Sequence, residues 1–261
     1  MTDAHCHIAR EGVRSLVCWP TKEARYSFAG WHPWEAAAFD GATLAALLET
    51  DPALGVGEIG LDRLKERDIS PAQREAFAAQ LAIAARYRRP VALHGAKCWG
   101  EVVKACEEHK GIIPAFVFHG FSRSGGLIPA IRSLNGFISV GGAVLNDHAV
   151  NYRRLVREIP DEMLLLETDA TDESAPSIAD IAAAVAGLRS IPLDALERLA
   201  DANAARIFDL RFMICDLRFK ICDLRFAIDS NRRQSKTLNL KSKIGNLKNL
   251  EQHERMVHTA R

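Results

Sequence analysis

Residues 2–8 read "TDAHCHI", a segment in which Asp3, His5 and His7 occupy alternate positions. If the segment is a β-strand, side chains two positions apart share one face, so these three polar side chains point together. The apolar residues between them then pack on the opposite face, and two imidazoles converge on one point. A chance pair of histidines near a chain terminus is the alternative, and the rest of the chain has to decide between the two.

Further histidines and acidic residues lie at the ends of apolar, strand-like runs. His94 lies in "RPVALHG", His119 in "PAFVFHG", Glu58 in "LGVGEIGLD", and Glu167 and Asp169 in "MLLLETDA". Glu167 and Asp169 are two positions apart, so on an extended strand both carboxylates face the same way. In a parallel barrel the carboxyl ends of the strands form one rim, where active sites are built. Four imidazoles and two carboxylates at one rim suit two divalent cations with a bridging carboxylate. The six residues concerned are His5, His7, Glu58, His94, His119 and Asp169.

The elements that would position these residues can be read from β-branched and aromatic runs. Eight strands are predicted, at 2–7, 14–18, 26–31, 54–59, 90–94, 114–118, 136–140 and 163–168. Helical segments lie between several of them, and alternating strands and helices predict an α/β fold, here a parallel (β/α)₈ barrel. The links between the first three strands are shorter than a parallel crossover requires, so either helices are absent there or the strand boundaries are wrong.

The clearest predicted helix is "SPAQREAFAAQLAIAARYRR". Ser70 is placed to cap its first turn, and Gln73 follows three residues later as in a capping box. Phe77 and Leu81 lie on one apolar stripe at helical spacing. A second helix is predicted in "SIADIAAAVAGL", with Ser177 as its cap.

Composition bounds the class of protein. The chain has 261 residues, of which 48% are hydrophobic and 26% charged, as expected of one large globular domain or two small ones. No apolar run approaches the roughly 20 residues of a membrane helix, and no basic segment precedes an apolar one at the N-terminus. The six cysteines show no C-x-x-C spacing. We therefore expect a cytoplasmic protein that does not contact a membrane, with structural thiols in a reducing compartment.

The charge divides the chain into two parts. Residues 210–261 contain 12 Lys and Arg against 5 Asp and Glu, which leaves 22 against 28 for residues 1–209. Three consecutive copies of a seven-residue unit start at Asp209, Asp216 and Asp223, and a polar, basic segment follows them. We predict a barrel over residues 1–210 and a basic, poorly ordered extension over residues 211–261. A nucleic-acid-binding arm and an extension acquired by tandem duplication are the two interpretations of that extension.

The chain resembles the TatD family of metal-dependent deoxyribonucleases, within the wider amidohydrolase-like barrels. The resemblance rests on "DAHCH", "GWHPWE", "GEIGLD", "PVALHGAK", "FVFHGFSRS", "FISVGG", "LLLETDA" and "LADANAARIF", and it covers Thr2 to Leu210. It implies two divalent cations, of Mg, Mn or Zn. It also implies how the ligands divide: one cation held by His5, His7 and Asp169, the other by His94 and His119, and Glu58 bridging the two.

The predicted reaction is hydrolysis of phosphodiester bonds, with single-stranded DNA as the expected substrate. Two dications against the two carboxylates leave a local positive charge that can hold a phosphate. We expect Asp169 to orient the attacking water and help deprotonate it, and Glu58 to act between the cations. Glu167 is expected to contact a ligand imidazole from outside the centre; a structural ion pair is the alternative.

Substrate contacts are predicted for His32, Arg123 and Lys97, which lie in or near loops at the rim. His32 also has the simpler interpretation of bracing its loop, and Arg123 and Lys97 that of solvated surface cations. Tryptophans near the rim could stack on bases, as in proteins that bind single strands, or pack in the interior. These are Trp31, Trp34 and Trp99.

Two other classes of function remain open from the sequence. An amidohydrolase-like enzyme acting on an amide, ester or lactone would use the same fold and metals. An inactive binding module is the second alternative. The presence of all six candidate ligand residues argues against it. We expect a monomer.

Overall fold

The computed structural model describes residues 1–19, 25–65, 67–122 and 125–208. It contains eight strands, each overlapping one of the eight predicted. They are β1 (Thr2–Cys6), β2 (Arg14–Val17), β3 (Phe28–Ala29), β4 (Gly55–Asp62), β5 (Val91–Ala96), β6 (Phe116–Phe118), β7 (Gly136–Val140) and β8 (Leu164–Leu166).

All strand pairs in this part of the chain are parallel. β3 to β8 form one sheet in chain order, and β1 pairs with β2. A parallel bridge between Cys18 and Phe28 joins β2 to β3. The Asp169 N–H donates to the His5 carbonyl oxygen at 2.9 Å, which joins the chain after β8 to β1. The sheet therefore closes on itself as a (β/α)₈ barrel of the TIM type, as predicted.

Helices follow most of the strands and surround the barrel. The α-helices are α1 (Gly41–Thr50), α2 (Pro71–Tyr87), α3 (Trp99–Glu107), α4 (Ile128–Ser133), α5 (Val150–Glu158), α6 (Ile178–Arg189) and α7 (Leu193–Ile207). Short 3₁₀ turns lie at Pro33–Ala38, Gly125–Leu127, Gly142–Leu145 and Asp161–Met163. No described helix has both the length and the apolar character needed to cross a membrane.

The short link between β1 and β2 has no helix. Residues 7–13 form only turns and irregular structure, while both flanking strands lie where they were predicted. The missing element is therefore the helix, and the strand boundaries were right. Part of the link between β2 and β3, residues 20–24, lies outside the described residues.

Helix α2 begins where its sequence predicts, but one capping contact differs. The Ser70 side chain accepts from the Gln73 N–H at 3.3 Å, which confirms the N-cap. The predicted capping box is wrong, because the Gln73 Oε1 atom accepts from the Asp62 N–H at 3.0 Å. Gln73 is buried, and its amide satisfies a backbone donor at the end of β4 that would otherwise lack a partner.

Strand alternation places the site above an apolar layer. Ala92, Val117 and Leu165 belong to one buried cluster, which also includes residues of α7. Since alternate residues share a strand face, His94 and His119 continue this face toward the carboxyl ends of β5 and β6. The apolar layer thus supports the candidate site from below.

Residues 209–261 lie outside the described residues, so the predicted barrel boundary, the seven-residue repeat and the basic extension stay predictions. The four cysteines within the described ranges are buried, as expected of structural thiols: Cys6, Cys18, Cys98 and Cys106.

Candidate metal centre

Glu58, on β4, lies at the middle of the histidine cluster and is 3% exposed. Its Oε1 atom lies 2.7 Å from His94 Nδ1 and 2.7 Å from His119 Nε2. Its Oε2 atom lies 3.3 Å from His5 Nε2 and 3.5 Å from His7 Nε2. The two oxygens of one carboxylate therefore divide four imidazoles into two pairs, the arrangement that a carboxylate shared by two cations requires.

Asp169 approaches the same cluster from the solvent side. Its Oδ1 atom lies 3.6 Å from His5 Nε2 and 3.8 Å from His7 Nε2, and its side chain is 52% exposed. The backbone of Asp169 has a φ of 53°, in the left-handed region, because β8 ends at Leu166 and the chain turns. The expectation that Asp169 and Glu167 share one face of an extended strand is therefore wrong.

Glu167 lies on the buried side of His119. Its Oε1 atom accepts from the Gly120 N–H at 2.7 Å and lies 3.8 Å from His119 Nδ1, while its Oε2 atom accepts from the Ser139 hydroxyl. Glu167 is thus placed behind a candidate ligand imidazole rather than at the centre. This placement fits the role predicted for it, which stays a prediction.

The buried charges in the centre compensate one another. Burial alone would raise the pKa of Glu58, but the neighbouring histidines, chiefly His119, outweigh it and hold that pKa well below its ordinary value. Burial alone would lower the pKa of His119, but Glu58 and Glu167 outweigh it and hold that pKa well above its ordinary value. Glu58 is therefore ionised, and a cation can replace the proton that balances its charge.

The donor set fits divalent cations. The Nε2 atom of His5 is buried and has no hydrogen-bond partner among the described residues. A buried imidazole nitrogen that has no hydrogen-bond partner and lies beside carboxylate oxygens is suited to bind a metal ion. Within the described ranges, three groups have ligand atoms within 4.8 Å of one another: His5, His119 and Asp169; His5, His7 and Glu58; and His32, Glu58 and His94.

His32, which was expected to contact phosphate, lies inside this cluster. Its Nε2 atom is 3.6 Å from Glu58 Oε1, and burial lowers its pKa to about 4 despite the opposing effect of Glu58. A neutral imidazole brings no positive charge to a phosphate, but it is the form that binds a metal. His32 is therefore a seventh candidate ligand, which the sequence had placed in a loop at the rim.

Asp62 orients His94 and was missed from the sequence. Its Oδ2 atom lies 2.8 Å from His94 Nε2, and its Oδ1 atom accepts from the N–H groups of Leu64 at 2.6 Å and Lys65 at 3.1 Å. A carboxylate on one ring nitrogen fixes the imidazole and directs the other, here Nδ1, to the metal. The signal was present in "GEIGLD", since Glu58 and Asp62 are four residues apart and strand alternation puts them on one face.

Replacing Asp62 by Asn is expected to weaken metal binding and turnover about 10–100-fold, the usual cost of losing such a partner. The amide nitrogen of the new side chain would face either a backbone N–H or the imidazole N–H of His94. Two hydrogen-bond donors would then face each other without an acceptor. Metal titration and steady-state kinetics measure the effect. Asp172→Asn is the matched control, because Asp172 accepts from Ser174 in a similar turn but is exposed. A lower melting temperature with unchanged metal affinity would show that Asp62 only stabilises its turn.

Asp3 does not join the histidines beside it in sequence. Its carboxylate accepts from the Thr168 N–H at 3.0 Å and from the Thr168 hydroxyl at 2.6 Å. It therefore ties β1 to the turn that carries Asp169. His7 Nδ1 lies 3.2 Å from the Cys18 carbonyl oxygen, and donation to that oxygen leaves Nε2 directed at the centre.

A cavity of about 700 Å³ opens above the centre. Its lining includes most of the candidate ligands and several further polar residues at the mouth. They are His7, Ile8, His32, Trp34, Glu35, Glu58, Lys65, His94, His119, Asp169 and Thr171.

The other predicted substrate contacts are placed differently. Lys97 is exposed and does not line the cavity, and Arg123 lies outside the described residues. Trp31 is 9% exposed, and Trp99 is 2% exposed and packs against two phenylalanines, so both are core residues. Of the three tryptophans considered for base stacking, Trp34 is the one that is exposed and lines the cavity.

A TIM-type barrel that gathers histidines around an ionised carboxylate at the carboxyl-end rim defines a metal-dependent hydrolase. The family model described as "TatD related DNase" matches residues 16–209. The chain belongs to this family, and it is a metal-dependent nuclease that acts on ester bonds. His5 and His7 precede the matched segment.

Known relatives agree with this assignment. The chain is 32% identical over 217 residues to a 3'-5' ssDNA/RNA exonuclease TatD of Erwinia billingiae, covering 76% of this chain and 80% of that protein. It is 26% identical over 196 residues to YabD of Bacillus subtilis, described as an uncharacterized metal-dependent hydrolase, covering 70% and 77%. The crystal structure of YJJV, a TatD homologue from Escherichia coli, superimposes with a TM-score of 0.68 at 25% identity, covering 80% of this chain and 97% of that one.

Proposed function

We propose that this nuclease uses two divalent cations to hydrolyse phosphodiester bonds in single-stranded nucleic acid. The observation that carries the proposal is the division of the four imidazoles between the two oxygens of Glu58. The name of the Erwinia billingiae relative, an exonuclease acting on single-stranded DNA and RNA, supports the substrate class.

The residues of the chain have distinct tasks in this proposal. His5, His7 and Asp169 would hold one cation, His94 and His119 would hold the other, and Glu58 would be shared between them. Bound cations would offset the charge of the phosphate and make a nearby water more acidic. Asp169 is the exposed carboxylate of the centre, so it is placed to orient the attacking water and accept its proton. Glu167 lies 3.8 Å from His119 Nδ1 on the buried side, where its negative charge favours the orientation of that imidazole.

The donor atoms favour some divalent cations over others. Imidazole nitrogens outnumber carboxylate oxygens in the cluster, and imidazole suits Zn, whereas Mg prefers a set made of oxygens. Mn accepts a mixture of the two. We therefore favour Zn or Mn over Mg. The expectations of a monomer and of a cytoplasmic location stay predictions from the sequence.

Purified protein is expected to bind close to two equivalents of divalent metal and to release nucleotides from a single-stranded oligonucleotide. A chelator should abolish cleavage, and Zn or Mn should restore it. Elemental analysis, a gel assay of end-labelled DNA and RNA strands, and a panel of carboxyl esters make the test. Blocking the 3' end separates exonuclease from endonuclease action. Less than one equivalent after reconstitution would refute the two-cation centre, and turnover of esters without cleavage of any strand would favour the amidohydrolase alternative.

A further inference from the structure

Trp34 and Lys65 lie together at the mouth of the cavity, and no step described above uses them. The Trp34 side chain is 54% exposed, and the Lys65 ammonium lies 5.3 Å from the centre of its ring. Both residues line the catalytic cavity of about 700 Å³ and also a second cavity of about 130 Å³. The pair is therefore shared by the two cavities.

The pair is connected to the metal centre through His32. The rings of Trp34 and His32 pack edge to face with centroids 4.6 Å apart, and His32 Nε2 lies 3.6 Å from Glu58 Oε1. A group resting on Trp34 is thus separated from the bridging carboxylate by one imidazole. At this distance a base resting on Trp34 could belong to a nucleotide whose phosphate reaches the centre.

The backbone holds both residues in place. The Trp34 N–H donates to His32 Nδ1 at 3.2 Å, and the Lys65 N–H donates to Asp62 Oδ1 at 3.1 Å. His32 lies beside Glu58, and Asp62 lies within hydrogen-bond distance of His94, so each contacts a residue of the centre. The backbone positions of Trp34 and Lys65 are therefore held by the same side chains that organise the centre.

We propose that Trp34 and Lys65 form a nucleotide-binding subsite, in which a base stacks on the Trp34 ring and Lys65 binds an adjoining phosphate. The proposal rests on the nuclease function proposed above. Stacking of a base on an aromatic ring outweighs an exposed contact between an ammonium and that ring. An incoming base therefore displaces the ammonium, which turns to the phosphate on its flexible stem.

This subsite predicts the class of strand that the enzyme accepts. Every base has an aromatic face, so stacking tolerates any sequence, and neither group distinguishes ribose from deoxyribose. In a duplex the bases are stacked on one another and cannot lie on Trp34. The subsite therefore favours single strands of DNA and RNA alike.

The test compares an ordinary single strand with an abasic strand of equal length, cleaved by the wild type and four variants. Trp34→Ala is expected to raise KM for the ordinary strand about tenfold with kcat nearly unchanged, and to leave KM for the abasic strand unaltered. Trp34→Phe keeps an aromatic ring and should restore most of the affinity. Lys65→Met should raise KM for both strands and reduce the salt dependence of KM. Lys110→Met is the control, because Lys110 is exposed and lies outside both cavities, and it should change neither KM nor its salt dependence.

The outcomes separate this subsite from the function on which it rests. Cleavage by Trp34→Ala with the KM of the wild type would overturn the subsite and leave the nuclease proposal standing. An equal rise in KM for ordinary and abasic strands would also overturn base stacking. A wild-type protein that cleaves no strand would overturn the proposed function and the subsite with it.

Discussion

Replacing Glu58 by Gln is expected to lower nuclease turnover on the order of a thousandfold or more and to remove most of the bound metal. Among the described residues, the Glu58 carboxylate faces the four imidazoles predicted as ligands, two at each oxygen, and His32 Nε2 also lies 3.6 Å from its Oε1 atom. Glutamine keeps the size of the side chain but removes the negative charge that draws two cations together. Its amide nitrogen is a donor, and it would replace one of the two acceptors.

Metal content by elemental analysis and turnover on a single-stranded oligonucleotide test this expectation together. Glu35→Gln is the matched control, since Glu35 lines the same cavity and the substitution changes the charge equally. We expect that control to retain its metal and most of its turnover. Full metal content and near-native turnover in Glu58→Gln would refute the bridging role, and circular dichroism distinguishes loss of metal from loss of fold.

The positions of the strands could be predicted because each lies in a short, largely apolar run, and several of these runs carry a polar residue at the carboxyl end. That pattern located His94 on β5 and His119 directly after β6, and the closed parallel barrel then brings them to one rim. The alternation of side chains along a strand also points to Asp62, which lies four residues after Glu58 on β4. Asp62 was not predicted because the fourth strand was expected to end at residue 59, whereas β4 continues to Asp62.

The remaining contacts depend on where the chain leaves regular structure. The turn after β8 places Asp169 on the solvent side of the histidines, and no periodicity predicts a left-handed residue there. His32 lies before a 3₁₀ turn, so its direction could not be read from strand alternation. Gln73 was expected to cap its own helix, but a buried donor at the end of β4 takes its side chain instead. In each case a tertiary hydrogen bond or turn overrides the local pattern.

Replacing Asp169 by Asn tests the proposed base with little disturbance of the fold. Asn tolerates the left-handed backbone at this position and can keep the N–H contact to the His5 carbonyl oxygen. The substitution removes the charge that favours the cation beside His5 and His7, and it removes the acceptor for a proton from the attacking water. We expect turnover to fall by about two orders of magnitude or more.

The affinity for substrate should survive better in Asp169→Asn, because in the proposed centre His94, His119 and Glu58 would still hold the second cation. The control is Glu167→Gln, in which the buried partner of His119 keeps its shape and its contact with the Gly120 N–H. That variant should lose less turnover, since Glu167 lies behind a ligand and does not face the cavity. If Asp169→Asn instead keeps near-native turnover on single-stranded DNA while Glu167→Gln abolishes it, the proton acceptor is the buried carboxylate. His119, which lies between Glu167 and Glu58, would then have to carry the proton out of the centre.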